Sequence, residues 1–246
     1  MSLPQIASRN EWLLSRKELL VKEKQLTRQR DALNGERRRL PMVEIDKPYV
    51  FEGPDGTTSL LDLFEGRRQL IVGHFMFDPR WEDGCPSCSA GADEVSRGLL
   101  KHLQARDTTL AYVSRAPLSK LEDYKGRRGW AFPWYSSYGS EFNYDFHATL
   151  DESKAPPQYN YRTMAEHERA GTPIVFESPC ELPGSSYFLR DGDRVFHTYS
   201  TYARGTEMTG GSCYFLDLTA LGRQEDWEEP KGRAASAHSA TPDFAD

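Results

Sequence analysis

The chain is poor in cysteine, with 4 in 246 residues, too few for a disulfide framework to hold a domain of this size. No apolar run approaches the ~18 residues that a membrane-spanning helix needs; the longest is Leu70–Phe77. The first residues lack the short apolar core and small-residue cleavage site of a secretory signal, so a cytoplasmic protein is expected. Hydrophobic residues are sparse at 38%, yet 12% of the chain is aromatic, which excludes a disordered polymer. No internal repeat is present. At roughly 150 residues per domain, the length allows one large domain or two small ones.

Neither sign of charge dominates: 31 Lys and Arg against 37 Asp and Glu give −6. That balance hides an asymmetry. Residues 9–40 carry ten basic and five acidic side chains, so this segment is +5 and the remainder −11. Between Arg9 and Leu40 there is no proline and a single glycine, Gly35, and Leu, Glu, Lys and Arg abound, which predicts one long helix. Trp12, Leu19, Leu26, Leu33 and Leu40 fall seven apart on one stripe, widened by Leu13 and Leu20. A self-sufficient two-stranded coiled coil needs a second apolar seam, but Arg16, Glu23, Arg30 and Arg37 are all charged. The stripe therefore suits the protein's own body or a partner subunit, as in a homodimer through this helix. The basic face reads as solvated surface, and neither nucleic acid nor a membrane is an expected partner.

From Pro41 the pattern turns to strands. Tyr49–Phe51 and Thr57–Leu60 flank the turn Gly53-Pro54-Asp55-Gly56 as a hairpin, and Leu60–Phe64 makes a short helical turn before Gly66. Leu70–Phe77 reads as a strand buried on both faces. A helix is expected from Cys85 to about Arg106, a second buried strand over Leu110–Ser114, a helix from Pro117 to near Gly126, and a short strand over Phe132–Ser136. Strand, helix, strand, helix is an α/β plan with parallel pairing. Residues 137–182 look like an insertion, with Phe142, Tyr144, Phe146, Tyr159 and Tyr161 in no clear period. Tyr187–Arg190 and Arg194–Tyr199 form a hairpin across Asp191-Gly192-Asp193. Cys213–Leu221 is a strand or a helix. The expected organisation is a helical arm over 1–41, an α/β domain over 42–222, and a polar tail over 223–246.

The strongest chemical signal is Cys85-Pro86-Ser87-Cys88, directly after a buried strand and at a helix start. Pro86, at the first helical position, has φ already set and no N–H to waste, which places Cys85 at the N-cap. There its sulfur faces unpaired N–H groups and the positive end of the helix dipole, and both favour thiolate over thiol. Cys88, one turn on, is in reach of a mixed disulfide on Cys85. Glu82 and Asp83 oppose a further negative charge, so the Cys85 pKa is expected to be depressed but not extreme. The expected chemistry is thiol–disulfide exchange, with Cys85 attacking and Cys88 resolving. Its substrate would be a disulfide-containing protein or a small thiol, and it needs no cofactor.

Two other readings stay open: a non-catalytic binding module that uses the basic arm and aromatic insertion, its Cys pair structural, or half of a metal site. Structural zinc wants four ligands, and neither Cys180 and Cys213 nor His74, His102, His147, His167 and His197 show metal spacing. His74, within a buried strand, reads as a hydrogen-bonded core histidine, and Cys180 and Cys213 as small hydrophobes. Arg115, at the carboxyl end of a parallel strand, is a candidate anion contact. The rings of Trp134, Tyr135, Tyr138, Phe142, Tyr144 and Phe146 suit core or a ligand groove.

Strand, C-x-x-C at a helix start, strand, helix and a late hairpin together resemble the thioredoxin fold. The stretch Asp55-Gly56, Leu60–Leu63 and Gly66–Val72 is similar to the opening of its peroxiredoxin and TlpA-like branch. More closely, nearly the whole chain resembles a thioredoxin-like group, the domain of unknown function 899 family. The blocks that carry this are Glu11–Leu13, Gly84–Ser89, Ser114–Leu118, Phe132–Trp134, Asn143–Phe146 and Val195–Gly205. The resemblance implies a three-layer thioredoxin-like fold with a peroxiredoxin-type N-terminal hairpin, and a dithiol role for Cys85 and Cys88. It also implies that Trp81 shields one side of the dithiol, and that a cis-proline, for which Pro183 is the nearest candidate, faces it. Two departures matter. Ala90-Gly91 stands where bulky aromatics are expected, which opens space behind the cysteines. Glu82 stands three residues before Cys85, where peroxiredoxins place Thr or Ser, which disfavours peroxidase chemistry.

Overall fold

The computed structural model describes residues 3–221, 225 and 227–231, with the backbone alone of Cys213. The expected tail, 223–246, therefore lies outside the described residues apart from 225 and 227–231. Among the described residues two units separate, residues 3–41 with those from 212 onward, and residues 42–211.

In the first unit, α1 (Arg9–Arg37) begins at a reciprocal cap. The Ser8 hydroxyl accepts from the Glu11 N–H at 3.3 Å, and the Glu11 carboxylate accepts from the Ser8 N–H at 2.9 Å. No residue of α1 is buried, and the stripe of Trp12, Leu19, Leu26 and Leu33 is exposed. Along the seam that lacks apolar residues, Arg16 pairs with Glu23 at 2.8 Å.

The second unit is built on one mixed sheet. β1 (Val43–Ile45), β2 (Val50–Gly53), β3 (Gly56–Ser59), β4 (Gln69–His74), β5 (Thr108–Ser114) and β6 (Trp134–Ser136) come first. α2 (Pro86–Asp93) and α3 (Arg97–Gln104) connect β4 to β5, and α4 (Leu118–Arg128) connects β5 to β6. The insertion holds α5 (Phe142–Asp145), β7 (Thr149–Leu150), β8 (Gln158–Tyr159), β9 (Arg162–Thr163), α6 (Met164–Arg169) and β10 (Cys180–Glu181). The long hairpin β11 (Gly184–Asp191) and β12 (Arg194–Tyr202) follows; α7 (Ser212–Leu216), which belongs to the first unit, types the start of the segment left open in the sequence.

The sheet order is β1-β12-β11-β4-β5-β6-β2-β3. β4, β5 and β6 run parallel, while β11 lies antiparallel to β4 with Gly184 opposite His74. Strand, helix, strand, helix and an antiparallel hairpin, with β12-β11-β4-β5 at the centre, is the thioredoxin-like arrangement. The hairpin β2–β3 extends it through β2 against β6, and β1 closes the other edge on β12.

Alternation along β4 separates two cores. Leu70 and Val72 join Phe51, Phe64, Phe142, Phe146 and Phe188 on one face. Phe75 and Phe77, beyond the strand, pack with Leu121, Tyr124, Phe132 and Trp134. Of the six clustered rings, Trp134, Phe142 and Phe146 are therefore core, while Tyr138 is exposed.

The structure corrects several sequence expectations. The helix expected from Cys85 to Arg106 is two helices. Asp93 is held at its end by Arg128 at 2.6 Å and by the Trp130 indole at 2.8 Å. Ser96 then caps a new helix, its hydroxyl accepting from the Leu99 N–H at 3.1 Å. α4 runs past Gly126 and stops at Gly129, whose φ of 70° is the left-handed conformation that ends helices. The late hairpin begins earlier and ends later than expected, because Ser186 and Ser200, polar enough to read as loop, are buried with their hydroxyls paired at 2.7 Å.

Candidate active site

β4 delivers the chain to the carboxyl edge of the sheet, and the loop after it returns at Cys85, whose N–H donates to the Met76 carbonyl at 3.0 Å. Cys85 then caps α2 with φ −55° and ψ 129°, and Pro86 takes the first turn. Behind the cap, the Ser89 hydroxyl donates to the Cys85 carbonyl and pairs with the Tyr124 hydroxyl, both at 2.9 Å. These bonds fix the first turn against α4.

Cys85 and Cys88 are free and partly exposed. The Cys88 S–H donates to the Cys85 sulfur and pulls the Cys85 pKa down to about 6. Partial burial works against this, and the backbone N–H groups of Cys88 and Ser87 add to it. The same contact, together with burial and the nearby Cys85 charge, raises Cys88 well above an ordinary thiol. The expected opposition from Glu82 and Asp83 does not figure among these causes. Asp83 pairs with Arg127 at 2.6 Å, and Glu82 is exposed at 3.6 Å from Lys120.

The flanking candidates divide. Trp81 stands exposed in the preceding loop, its carbonyl accepting from the Lys120 ammonium at 2.7 Å. Pro183 lines a cavity shared with Ser87 and Cys88. Its peptide bond is trans, not cis as the fold resemblance implied; among the described residues the cis bonds are Ser178–Pro179 and Glu229–Pro230. On either side of Pro183, the Leu182 N–H donates to the Ala148 carbonyl at 2.8 Å and Gly184 pairs with His74.

Arg115 is engaged rather than open. It lies 2.8 Å from Glu181 and 3.7 Å from Asp78, and it donates to the Tyr144 hydroxyl. The Arg115 Nε and Glu181 Oε1 atoms are close but lack hydrogen-bond alignment. Burial pushes the Glu181 carboxyl up to about 7, against the attraction of Arg115 and the 2.9 Å hydrogen bond from the Thr149 hydroxyl. Asp78 is lowered: burial works against ionisation, but two hydrogen bonds from the Arg80 guanidinium, its charge and its N–H outweigh it. Sequence reasoning missed both carboxylates, since Glu181 reaches Arg115 only through the pairing of β10 with β7. Cys180, beside Glu181, is raised by burial and then by the Glu181 and Asp78 charges, the opposite of an activated thiol.

His74 is a core histidine, as its strand position predicted. Its Nε2 meets the Ser186 hydroxyl at 2.8 Å, and the chain continues through Ser200 to His197 Nε2, each step 2.7 Å. Burial, with a smaller contribution from His197, lowers His74 to about 3. A depressed histidine contributes stability that is present above the unfolded pKa and lost as pH falls through the folded one. Stability is therefore expected to decline from about pH 6.5 toward 3, with ~4–5 kcal/mol as the ceiling for this group. His74→Gln should flatten that acid limb in urea titrations at several pH values. An unchanged limb would assign the decline elsewhere.

Among the described residues, no group of three or more His, Cys, Asp or Glu is placed to hold a metal ion. Nor is any helix among them long and apolar enough to cross a membrane.

A family model described as "bacterial protein of unknown function (DUF899)" matches residues 1–240. No curated protein matches the sequence. Similar solved structures include a cysteine-to-serine mutant of PrxQ from Xylella fastidiosa, 11% identical, with TM-score 0.43 over 69% of this chain and 91% of that one. The peroxidoxin BcpB of Mycobacterium tuberculosis is 12% identical, with TM-score 0.39 over 67% and 86%. A mutant of peroxiredoxin 6 from Arenicola marina is 14% identical, with TM-score 0.42 over 68% and 66%.

Proposed function

The chain belongs to the DUF899 family of bacterial proteins, and from the geometry of its dithiol we propose that it is a thiol–disulfide oxidoreductase. The observation that carries this reading is the placement of the pair: Cys85 caps α2, both thiols are free and partly exposed, and the Cys88 S–H, one turn on, bonds to the Cys85 sulfur. That contact favours the thiolate at Cys85 and keeps the proton on Cys88.

The cycle follows from that difference. The Cys85 thiolate attacks one sulfur of a substrate disulfide, the substrate S–S bond breaks, and one substrate thiolate leaves. The Cys85 charge is now consumed in the mixed disulfide. Two of the causes that raised Cys88, the hydrogen bond to a Cys85 thiolate and its charge, vanish at that moment. Cys88 then releases its proton, attacks the Cys85 sulfur, and expels the second substrate thiolate. The products are a Cys85–Cys88 disulfide and a reduced dithiol, with two electrons passed to the substrate. Stabilising the Cys85 thiolate also stabilises the reduced protein, which makes the disulfide a better oxidant than one built from ordinary thiols.

The rate of Cys85 alkylation should rise with pH about a midpoint near 6, and equilibration in glutathione buffers should interconvert the dithiol with an intramolecular disulfide. A midpoint at or above the ~8.5 of a free cysteine would overturn the reading.

A further inference from the structure

A cavity of about 520 Å³ opens beside the second cysteine of the pair. Its volume is in the range of small-molecule sites, and its walls are mainly apolar, from Leu99, Leu110, Tyr112 and Pro183 among others. Cys88 lines it and Cys85 does not. The Tyr112 phenol is raised by burial and then by the Cys88 charge, so that sulfur and the ring share this space. Gly91 in the wall faces open room: a Cβ there would meet nothing within 4 Å. A side chain at Gly91, a residue of the cavity wall, therefore has room to be added without a clash.

Its position divides the two sulfurs between two reactants. Exchange at a disulfide requires the incoming sulfur, the attacked sulfur and the leaving sulfur to lie in a line. When Cys88 attacks a mixed disulfide on Cys85, the departing substrate lies on the side of Cys85 opposite Cys88, and Cys85 does not line the cavity. The same line read backwards places a thiol in the cavity behind Cys88, with Cys85 as the leaving group.

We propose that the cavity admits a low-molecular-weight thiol with an apolar body, which reduces the Cys85–Cys88 disulfide by attacking Cys88. This rests on the oxidoreductase reading above. The incoming thiol gives its proton to water and its sulfur bonds to Cys88. The Cys85–Cys88 bond breaks, and Cys85 leaves as the thiolate. A second thiol then attacks the sulfur of the bound thiol, releasing a small disulfide and restoring Cys88, so two thiols are oxidised for each protein disulfide reduced. The direction suits the pair, since the thiolate stabilised in the free dithiol is the better leaving group.

The test uses the oxidised full chain and two thiols of similar acidity, benzyl mercaptan and 2-mercaptoethanol. Benzyl mercaptan should be the faster reductant. Gly91→Leu, which fills the open room, should slow it at least ~10-fold while changing 2-mercaptoethanol less. Gly91→Ala should fall between. Benzyl alcohol, which has the apolar body and no sulfur, should compete with benzyl mercaptan on the unaltered protein, a result that needs no variant to fold. Mass spectrometry of the acid-quenched intermediate should place the adduct on Cys88. The reaction of the reduced variants with an aromatic disulfide at Cys85 should keep its rate. An adduct on Cys85, or equal rates for the two thiols with no effect of benzyl alcohol, would overturn this inference alone. If oxidation formed no Cys85–Cys88 disulfide, the oxidoreductase reading would fall, and this one with it.

Discussion

Cys85→Ser is expected to reduce the rate of disulfide reduction to that of buffer, a loss of at least ~10³-fold, because a serine hydroxyl is not ionised at neutral pH. The pair is not symmetric under mutation. Cys88→Ser retains the attacking thiolate but removes the resolver, so it should react once and stop as a stoichiometric mixed disulfide on Cys85. Its alkylation midpoint should also rise above about 6, because the largest cause of the depression is the hydrogen bond from Cys88. A serine hydroxyl in its place donates too, so Cys88→Ala should raise the midpoint further. Insulin reduction, non-reducing gels and alkylation profiles read these outcomes. Undiminished turnover in Cys85→Ser would end the dithiol mechanism. An unmoved midpoint in Cys88→Ala would shift the credit to the backbone N–H groups at the start of α2.

Arg115→Met should be the most damaging substitution outside the dithiol. The Arg115 side chain is 11% exposed and those of Glu181 and Asp78 are 1% exposed, so removing the guanidinium leaves two carboxylates under the carboxyl edge of the sheet with less compensation. Breaking a buried pair in this way costs ~3–5 kcal/mol. For a chain of this size that is a fall of about 10 °C in melting temperature. Asp78 retains Arg80 and suffers less. Glu181 keeps the Thr149 hydroxyl but loses the attraction of the Arg115 charge, so its pKa should climb above about 7. The sign of the pH dependence follows. A carboxyl raised above its unfolded value contributes stability that is present below that value and lost as pH rises through the folded pKa. In the unaltered protein this contribution disappears between about pH 4.5 and 7. In Arg115→Met the loss should extend to higher pH, and adding Glu181→Gln should recover part of it. Thermal melts across that range decide the matter, and a variant with the same melting temperature would show the cluster to be energetically idle.

Much of the dithiol was legible because its geometry is local. Pro86 fixes the first helical turn, the cap follows at Cys85, and Cys88 lies one turn along the same face. None of that needs a distant part of the chain. The central strands were legible for a related reason, since runs such as Leu70–Val72 and Leu110–Val113 are apolar enough to demand burial on both faces. The break between α2 and α3 was not, because it depends on Asp93 being held by Arg128 and Trp130 from α4 and its end. The true ends of the late hairpin were hidden as well. Ser186 and Ser200 look like loop until His74 and His197 supply their hydrogen bonds.

Composition, periodicity and short-range spacing act within a few residues, and they were enough to specify an α/β chain with one dithiol at a helix start and a basic helical arm. Tertiary structure alone decided which groups surround that dithiol. It set the pairing of β7 with β10 that brings Glu181 to Arg115, the trans bond at Pro183, and the cavity that reaches Cys88 and not Cys85. Contacts between residues far apart in the chain depend on sheet register and layer packing, and neither is written in any short stretch of sequence.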